Sequence, residues 1–394
     1  MSNKKNILLC LTGGIALYKC LELASLLVKK GFNVKTIMTE SAQEFVKPLS
    51  FQSLTKQPVA TKLFNVNDQI EHISLSDWAD LIAVVPATAN IIGKLANGIA
   101  DDLLTTTVMA ANCPVLIVPA MNDNMYNNAI VQSNLAKLIA NNYFVLEPDE
   151  GLLACGTTGK GRLPEVEEII YAIRTYLSYK LDLTGKKILV TAGSTVEKID
   201  AMRFISNNSS GKTGLSIARA CYLRGADVLL IHAALSEPIP YYLNRVSAIS
   251  AYEMYKACLA AFDDYDIVIM CAAISDFTIK NPLPNKMKKD GKKLIIKLEP
   301  TLDILKHLGK IKKHQKLIGF AAETDYLLPN ARKKMKSKKL DFIVANDLNV
   351  AGRINTDVTI LRSDCSHKVN IKGDKFDVAH EILSNSVGNA FIRS

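Results

Sequence analysis

Three groups in the N-terminal half of the chain could do chemistry together. The tetrapeptide P-A-M-N, residues 119–122, sets the amide of Asn122 at the end of the apolar run 115–118. L-L-A-C-G, residues 152–156, sets the thiol of Cys155 in a loop bounded by Gly151, Gly156, Gly159 and Gly161. His72, in I-E-H-I-S-L, adds an imidazole. Imidazole titrates near neutral pH and can move protons. A thiol flanked by glycines, without apolar neighbours downstream, reads as exposed. Together the three groups suit redox or proton-transfer chemistry on a bound cofactor better than they suit a packed core. Each also has a plain structural reading: His72 as a packing residue, Asn122 as the cap of a helix beginning at Asp123, Cys155 as an inert small side chain. Cys10, Cys221 and Cys271 fall in apolar strands or helices and read as core.

These groups need elements to position them, and the chain starts a nucleotide-binding unit twice. Residues 5–11 read as a buried strand, followed by Thr12-Gly13-Gly14. A helical pattern follows, with Leu17, Leu21, Ala24, Leu27 and Val28 on one face, closed by Gly31, and then a second strand at 32–38. The pattern recurs as a strand at 187–191, a turn at 192–195, a helix at 214–223 closed by Gly225, and a strand at 227–232. The restart predicts two domains, 1–180 and 181–394, each opening as the β-turn-α-β of a parallel α/β sheet. Further strands are expected at 81–85, 115–118, 266–271, 317–320 and 342–345. Each ends in a polar or glycine cluster: 86–90, 119–122, Ser275-Asp276, 321–324 and Asn346-Asp347. In open α/β sheets ligands bind beyond the carboxyl ends of strands.

The net charge of +10 favours anionic ligands. Eight cysteines without a C-x-x-C pair argue against a structural zinc site and a disulfide framework. The apolar run 7–11 is too short for a signal-peptide core, and no run approaches the roughly 20 residues that span a bilayer. A soluble cytoplasmic protein is expected, with no membrane partner. The first turn is not G-x-G-x-x-G, since Tyr18 and Lys19 stand where the closing glycine would be sought. A mononucleotide such as FMN needs only main-chain N–H groups at a helix N-terminus. Ser209-Ser210-Gly211-Lys212-Thr213 resembles a Walker A ending, but Ser206 stands where the first glycine is required and the preceding segment does not read as a strand, so a P-loop is rejected. Asp276, at a strand end, could cap a helix, bind ribose hydroxyls, or act with Mg²⁺ beside a triphosphate. Lys286, Lys288 and Lys289 form a basic loop extended by Lys292, Lys293 and Lys297, and 332–339 is a second basic run. Both read as solvated faces or as clamps on a nucleoside triphosphate. Aromatic residues are not interleaved with them, which argues against nucleic acid.

In combination these motifs are specific. From Ile7 to about Ile360 the chain resembles the bifunctional coenzyme A biosynthesis family that fuses a phosphopantothenoylcysteine decarboxylase to a phosphopantothenate–cysteine ligase. The N-terminal half carries L-T-G-G-I-A, I-E-H-I-S-L, P-A-T-A-N, G-I-A-D-D-L-L, P-A-M-N and A-C-G in the family order. The C-terminal half carries T-A-G-S-T-V-E-K-I-D, R-F-I-S-N-N-S-S-G-K-T-G, A-A-I-S-D-F, K-M-K-K, G-F-A-A-E-T and V-A-N-D. The resemblance implies an N-terminal flavodoxin-like doubly wound parallel sheet followed by a second, Rossmann-like α/β ligase domain. It implies that His72 is the active-site histidine, that Asn122 holds the substrate carboxylate and that Cys155 donates a proton. Thr12, Gly13, Gly14, Thr39, Pro86, Ala87, Thr88 and Asn90 would line FMN. In the ligase half Asn207 would stabilise an acyl-nucleotide intermediate. CTP would be contacted by Asp276, Lys286, Phe320, Lys334, Lys338 and the loop Leu302-Asp303-Ile304-Leu305, with Lys286 also catalytic and Asp276 beside Mg²⁺. The family pattern further implies trimers of the flavin unit and dimers of the ligase unit, hence a dodecamer.

The chain departs from that pattern where Ser194 replaces a usual glycine, Lys198, Ala201 and Leu302 replace prolines, and Tyr126 replaces a tryptophan. These changes bear on loop geometry, because proline fixes its own φ and restricts its predecessor. The rival reading is an FMN-binding regulatory protein of the same fold with an inactive decarboxylase half. The intact His72, Asn122 and Cys155 and a complete ligase half speak against it.

Overall fold

Five consecutive apolar residues from Ile7 to Leu11 make a strand that must be covered on both faces, the pattern of a parallel sheet flanked by helices. The computed structural model describes residues 4–64, 71–154, 156–288, 294–323, 325–347, 355–364 and 368–387. It divides into two compact units, Met1–Lys180 with Pro240–Tyr242, and Leu181–Ile239 with Leu243–Ser394.

In the first unit, strands β1 (Asn6–Leu11), β2 (Asn33–Met38), β3 (Val59–Ala60), β4 (Leu81–Ala87), β5 (Val115–Pro119) and β6 (Phe144–Val145) form one sheet in the order β3-β2-β1-β4-β5-β6. Every pairing in it is parallel. Setting aside the two-residue β3, this is the flavodoxin-type order, and the chain reverses its direction of travel between β1 and β4. All seven residues of β4 are buried, as a central strand requires. Right-handed crossovers put the helices Lys19–Lys29, Pro48–Thr55 and Val166–Ser178 on one face. The helices Glu71–Trp78, Ala89–Ala96, Leu103–Met109 and Ala129–Ala140 share the core of the other face. The first helical turn is tighter than the apolar period suggested: Ile15–Tyr18 is 3-10, and the α-helix begins at Lys19.

An antiparallel hairpin, β7 (Asp149–Leu152) and β8 (Thr158–Arg162), follows the sheet. At its base Asp149 is buried. Burial, with the nearby Glu165 and Glu168 carboxylates, raises its pKa to about 6 against the partial counterweight of Arg162 and Lys19.

The second unit adds β9 (Lys187–Ala192), β10 (Val196–Lys198), β11 (Phe204–Ser206), β12 (Asp227–His232), β13 (Asn244–Ser247), β14 (Ile267–Met270), β15 (Phe277–Thr278), β16 (Glu299–Pro300), β17 (Lys316–Glu323), β18 (Phe342–Asp347), β19 (Asn355–Arg362) and β20 (Lys368–Asp374). Its sheet runs β13-β12-β9-β14-β17-β18-β19-β20, parallel as far as β18, with β19 and β20 added antiparallel. Here the reversal falls between β9 and β14. Two small antiparallel ribbons, β10–β11 and β15–β16, lie outside the sheet. The buried Arg224 closes the unit: its guanidinium grips the Asp182 carboxylate at 2.8 and 2.5 Å and donates to the His380 carbonyl oxygen at 3.0 Å.

Two expectations need correction. The segment before 209–213 is a strand, β11, but it belongs to a ribbon and not to the sheet, so the P-loop is excluded by topology as well as by Ser206. Cys271 is only half-buried, because β14 ends at Met270 and Cys271 begins the connection after it. Among the described residues no helix is long and apolar enough to cross a membrane.

Asp149 gives the first unit a pH dependence of known sign. Its folded pKa lies above the ordinary 3.8, so it contributes stability that is present below that value and lost as the pH rises through about 6. Asp149→Asn should abolish this loss, on the order of 2–3 kcal/mol, seen as urea midpoints that fall less between about pH 4 and 7 than in the parent chain.

Candidate functional site

Three strand ends meet at the first reversal. Thr12, which follows β1, is buried; its hydroxyl donates to the Pro86 carbonyl oxygen at 2.5 Å and accepts from the Thr88 N–H at 3.4 Å. Thr39, after β2, caps the short helix Glu40–Gln43 by accepting from the Ala42 N–H at 3.2 Å. Thr88, after β4, caps Ala89–Ala96 by accepting from the Ile91 N–H at 3.4 Å. Gly13 is required here because a Cβ would come within 2.6 Å of the Ser41 Cβ. A cavity of about 820 Å³ opens at this edge, and Thr12, Thr39, Thr88 and Asn90 line it. Pro86 and Ala87 are buried within β4, so only their main chain could reach a ligand. The lining also includes Met38, Ser41 and the Lys94–Asp101 ion pair at 2.7 Å; of these only Asp101 falls in a quoted motif, G-I-A-D-D-L-L. The T-E-S run after β2 was the available signal for Ser41.

The P-A-M-N segment meets the second strand of the hairpin that follows the sheet. The P-A-M-N segment is fastened to β4, with the Ala120 N–H donating to the Ala87 carbonyl oxygen at 3.1 Å. The glycine-rich β8 then docks on it from outside. The Met121 N–H donates to the Gly161 carbonyl oxygen at 3.0 Å, and the Lys160 N–H donates to Asp123 Oδ1 at 2.9 Å. A Cβ on Gly159 would lie 2.5 Å from Asp123 Cγ, so only glycine permits this approach. The hairpin turn is closed by the Leu153 N–H to the Thr157 oxygen at 2.8 Å and the Gly156 N–H to the Leu153 oxygen at 2.9 Å. Cys155, between them in sequence, lies outside the described residues.

Asn122 is a helix cap: its Oδ1 accepts from the Asn124 N–H at 2.9 Å. Capping through oxygen fixes the amide plane, with the N–H₂ end as its donor. His72 lies in the first turn of Glu71–Trp78, a helix packed against Leu103–Met109. The crossover into β4 sets that turn at the carboxyl edge of the sheet, but no hydrogen bond among the described residues joins His72 to Asn122 or the hairpin.

The ligase candidates gather at the second reversal. Asn207 Nδ2 donates to the Ile274 carbonyl oxygen at 3.1 Å, two residues before the exposed Asp276. The Asp276 and Ser275 carbonyl oxygens accept from the Thr301 N–H at 2.9 Å and Thr301 Oγ1 at 2.7 Å, which brings Leu302 and Asp303 alongside. Asp303 caps Ile304–Ile311 and pairs with Lys338 at 2.9 Å. Burial pushes the Asp303 carboxyl up, but the Lys306 N–H and the Lys338 ammonium outweigh it and hold it below the ordinary carboxylate value. Lys334 Nζ donates to the Phe320 carbonyl oxygen at 2.7 Å within β17, which continues to Glu323, beyond the end at 320 expected from the sequence. Ile304 and Leu305 are buried and hold the loop down. Lys286 is exposed on the segment after β15. Among the described residues no group of three or more metal-ligating side chains occurs, so a cation here would take most of its ligands from substrate oxygens.

Comparison with known proteins agrees with this division. Residues 1–178 match the family "Flavoprotein", and residues 183–388 match "DNA/pantothenate metabolism flavoprotein C-terminal domain". The chain is 47% identical over 392 residues to the coenzyme A biosynthesis bifunctional protein CoaBC of Bacillus subtilis (strain 168), covering 97% of each. It is 41% identical over 387 residues to the protein of the same name from Borreliella burgdorferi, covering 97% of this chain and 99% of that one. A crystal structure of the C-terminal domain of such a protein is 38% identical, covers 52% of this chain and 95% of that one, and superposes with a TM-score of 0.46. The chain therefore belongs to the bifunctional coenzyme A biosynthesis family, and carries a phosphopantothenoylcysteine decarboxylase and a phosphopantothenate–cysteine ligase in one polypeptide.

Proposed function

We propose that residues 1–180 form an FMN-dependent decarboxylase and residues 181–394 a ligase that uses CTP and Mg²⁺, and that the two act in sequence in the cytoplasm. The observation that supports this reading is that Thr12, Thr88 and Asn90 stand at the strand-order reversal of the first sheet and Asn207 and Asp276 at that of the second, the position where open α/β sheets bind nucleotides.

The ligase acts first. The carboxylate of 4′-phosphopantothenate attacks the α-phosphorus of CTP, expelling pyrophosphate and leaving an acyl-cytidylate. A carboxylate is inert towards an amine in water, whereas this mixed anhydride is not, and the amine of cysteine displaces CMP. Lys286, Lys334 and Lys338 would offset charge on the triphosphate, and Asp276 would stand beside Mg²⁺. Asn207 holds the acyl group with a side chain that does not compete as a nucleophile.

The product enters the decarboxylase. Bound FMN would supply the two-electron chemistry by which the CH₂–SH of the cysteine moiety is oxidised before CO₂ leaves and reduced again afterwards. The cavity at the first reversal suits this group: it is of mononucleotide size, and Gly13 keeps the turn close to Ser41. Thr12, Thr39, Thr88 and Asn90 would line the flavin, with the main chain at Gly13, Gly14, Pro86 and Ala87. Asn122 binds the substrate carboxylate, with the amide held in orientation by its cap. His72 moves protons, and Cys155 donates the proton that the enethiol requires. The family pattern implies assembly of trimeric flavin units and dimeric ligase units into a dodecamer.

Incubation with 4′-phosphopantothenate, cysteine, CTP and Mg²⁺ should yield 4′-phosphopantetheine by mass spectrometry. Accumulation of 4′-phosphopantothenoylcysteine alone would remove the decarboxylase half of the proposal. Cys155→Ser should release CO₂ yet stop at the oxidised enethiol, and full turnover by that variant would end the proton-donor assignment. Lys286→Gln should lose acyl-cytidylate formation, while Asn207→Asp should impair the later fate of the intermediate. Equal loss of the same step in both would refute the division of roles.

A further inference from the structure

We propose that Asp200 is a positioning residue of the ligase reaction, holding the main chain on which Lys286 stands. The inference rests on the role given to Lys286 above. Lys286 is exposed between β15 and β16, where the described residues form no helix or strand, and a long flexible side chain there can serve a reaction only if its main chain is fixed. Three contacts fix it, all from the single stretch V-E-K-I-D. Glu197 is buried; its Oε2 accepts from Thr278 Oγ1 at 2.7 Å, and its Oε1 accepts from the Ala251 N–H at 2.8 Å. The Ile199 carbonyl oxygen accepts from the Leu283 N–H at 3.0 Å. Asp200 Oδ2 accepts from the Met287 N–H at 3.1 Å. Lys286 therefore lies between two pinned residues, Leu283 and Met287.

The Asp200 carboxylate is inaccessible to solvent and receives four donors. Besides Met287, Oδ1 accepts from the Met202 and Arg203 N–H groups, each at 2.7 Å, and Oδ2 accepts from Arg203 Nη1 at 2.6 Å. The Met202 N–H does most to lower its pKa, followed by those of Met287 and Arg203. With the Arg203 charge they overcome the upward push of burial and bring it to about 2. The group is thus an anion throughout the working range, with its acceptor sites filled. Arg203 reaches the same target from the other side, donating to the Met287 carbonyl oxygen at 3.4 and 3.5 Å. Closing the turn between β10 and β11 needs only the Met202 and Arg203 N–H groups. The bond to Met287, 87 residues away in sequence, is what a local turn does not require.

Asp200→Asn keeps the shape but turns an N–H₂ group towards the Met287 N–H or Arg203. The full chain would be assayed for pyrophosphate release in a single turnover, for the ligase KM towards its pantothenate substrate, and for decarboxylation of 4′-phosphopantothenoylcysteine. Pyrophosphate release should fall about a hundredfold, with the KM and the decarboxylation unchanged. Lys286→Gln should lose the same step, and the double variant should be no slower than the slower single, since one residue acts through the other. Loss in Lys286→Gln with normal release in Asp200→Asn overturns the proposal and leaves the Lys286 reading standing. Normal release in Lys286→Gln overturns both, and additive losses in the double variant overturn the coupling. Should Asp200→Asn not fold, Asp200→Glu keeps the charge and moves the carboxylate off the Met287 N–H. A fall in the same step is expected there, and the parental rate would overturn the proposal.

Discussion

Right-handed crossover is the constraint on which both units depend. A chain that lays parallel strands outward in one direction and then returns to extend the sheet the other way must leave two neighbouring strands whose following segments diverge. In the first unit these are β1 and β4, in the second β9 and β14. Between them the carboxyl edge stays uncovered by the chain itself. The connections that carry Thr12, Thr88 and Asn90 diverge at one such edge, and those that carry Asn207 and Asp276 at the other.

The crevices are open, but their side chains are not free to wander. Thr39, Thr88, Asn122 and Asp303 each cap a helix with their own side-chain oxygen. A cap satisfies a main-chain N–H that would otherwise be orphaned, and it also fixes the capping rotamer. The cap at Asn122 uses the amide oxygen, so the carboxylate recognition proposed for this residue would fall to the nitrogen. Main-chain approach does the same work at Gly159, where β8 lies so close to Asp123 that no side chain fits between them.

Two buried carboxylates show how surroundings decide the role of one residue type. Asp200 faces N–H groups and a guanidinium, so its charge is stabilised and it organises a loop. Asp149 is penalised first by burial and then by Glu165 and Glu168, which raises its pKa to about 6. Burial pushes both carboxyls up; at Asp200 the N–H dipoles and the guanidinium overcome it, and at Asp149 the Arg162 and Lys19 charges do not.

The sequence by itself determined the two α/β units, the apolar strands and the clusters at their carboxyl ends, because periodicity and turn residues are local signals. The motif order also determined the family. The sequence did not reveal that β11 leaves the sheet for a ribbon, or that Cys271 stands half out of the core. Tertiary structure alone decided that β8 docks on the P-A-M-N segment and that V-E-K-I-D holds the segment carrying Lys286. Both depend on main-chain hydrogen bonds between residues far apart in sequence, and such bonds leave almost no mark on composition. A glycine is their one visible trace in the first unit, and in the second a buried aspartate that receives a main-chain N–H from 87 residues away.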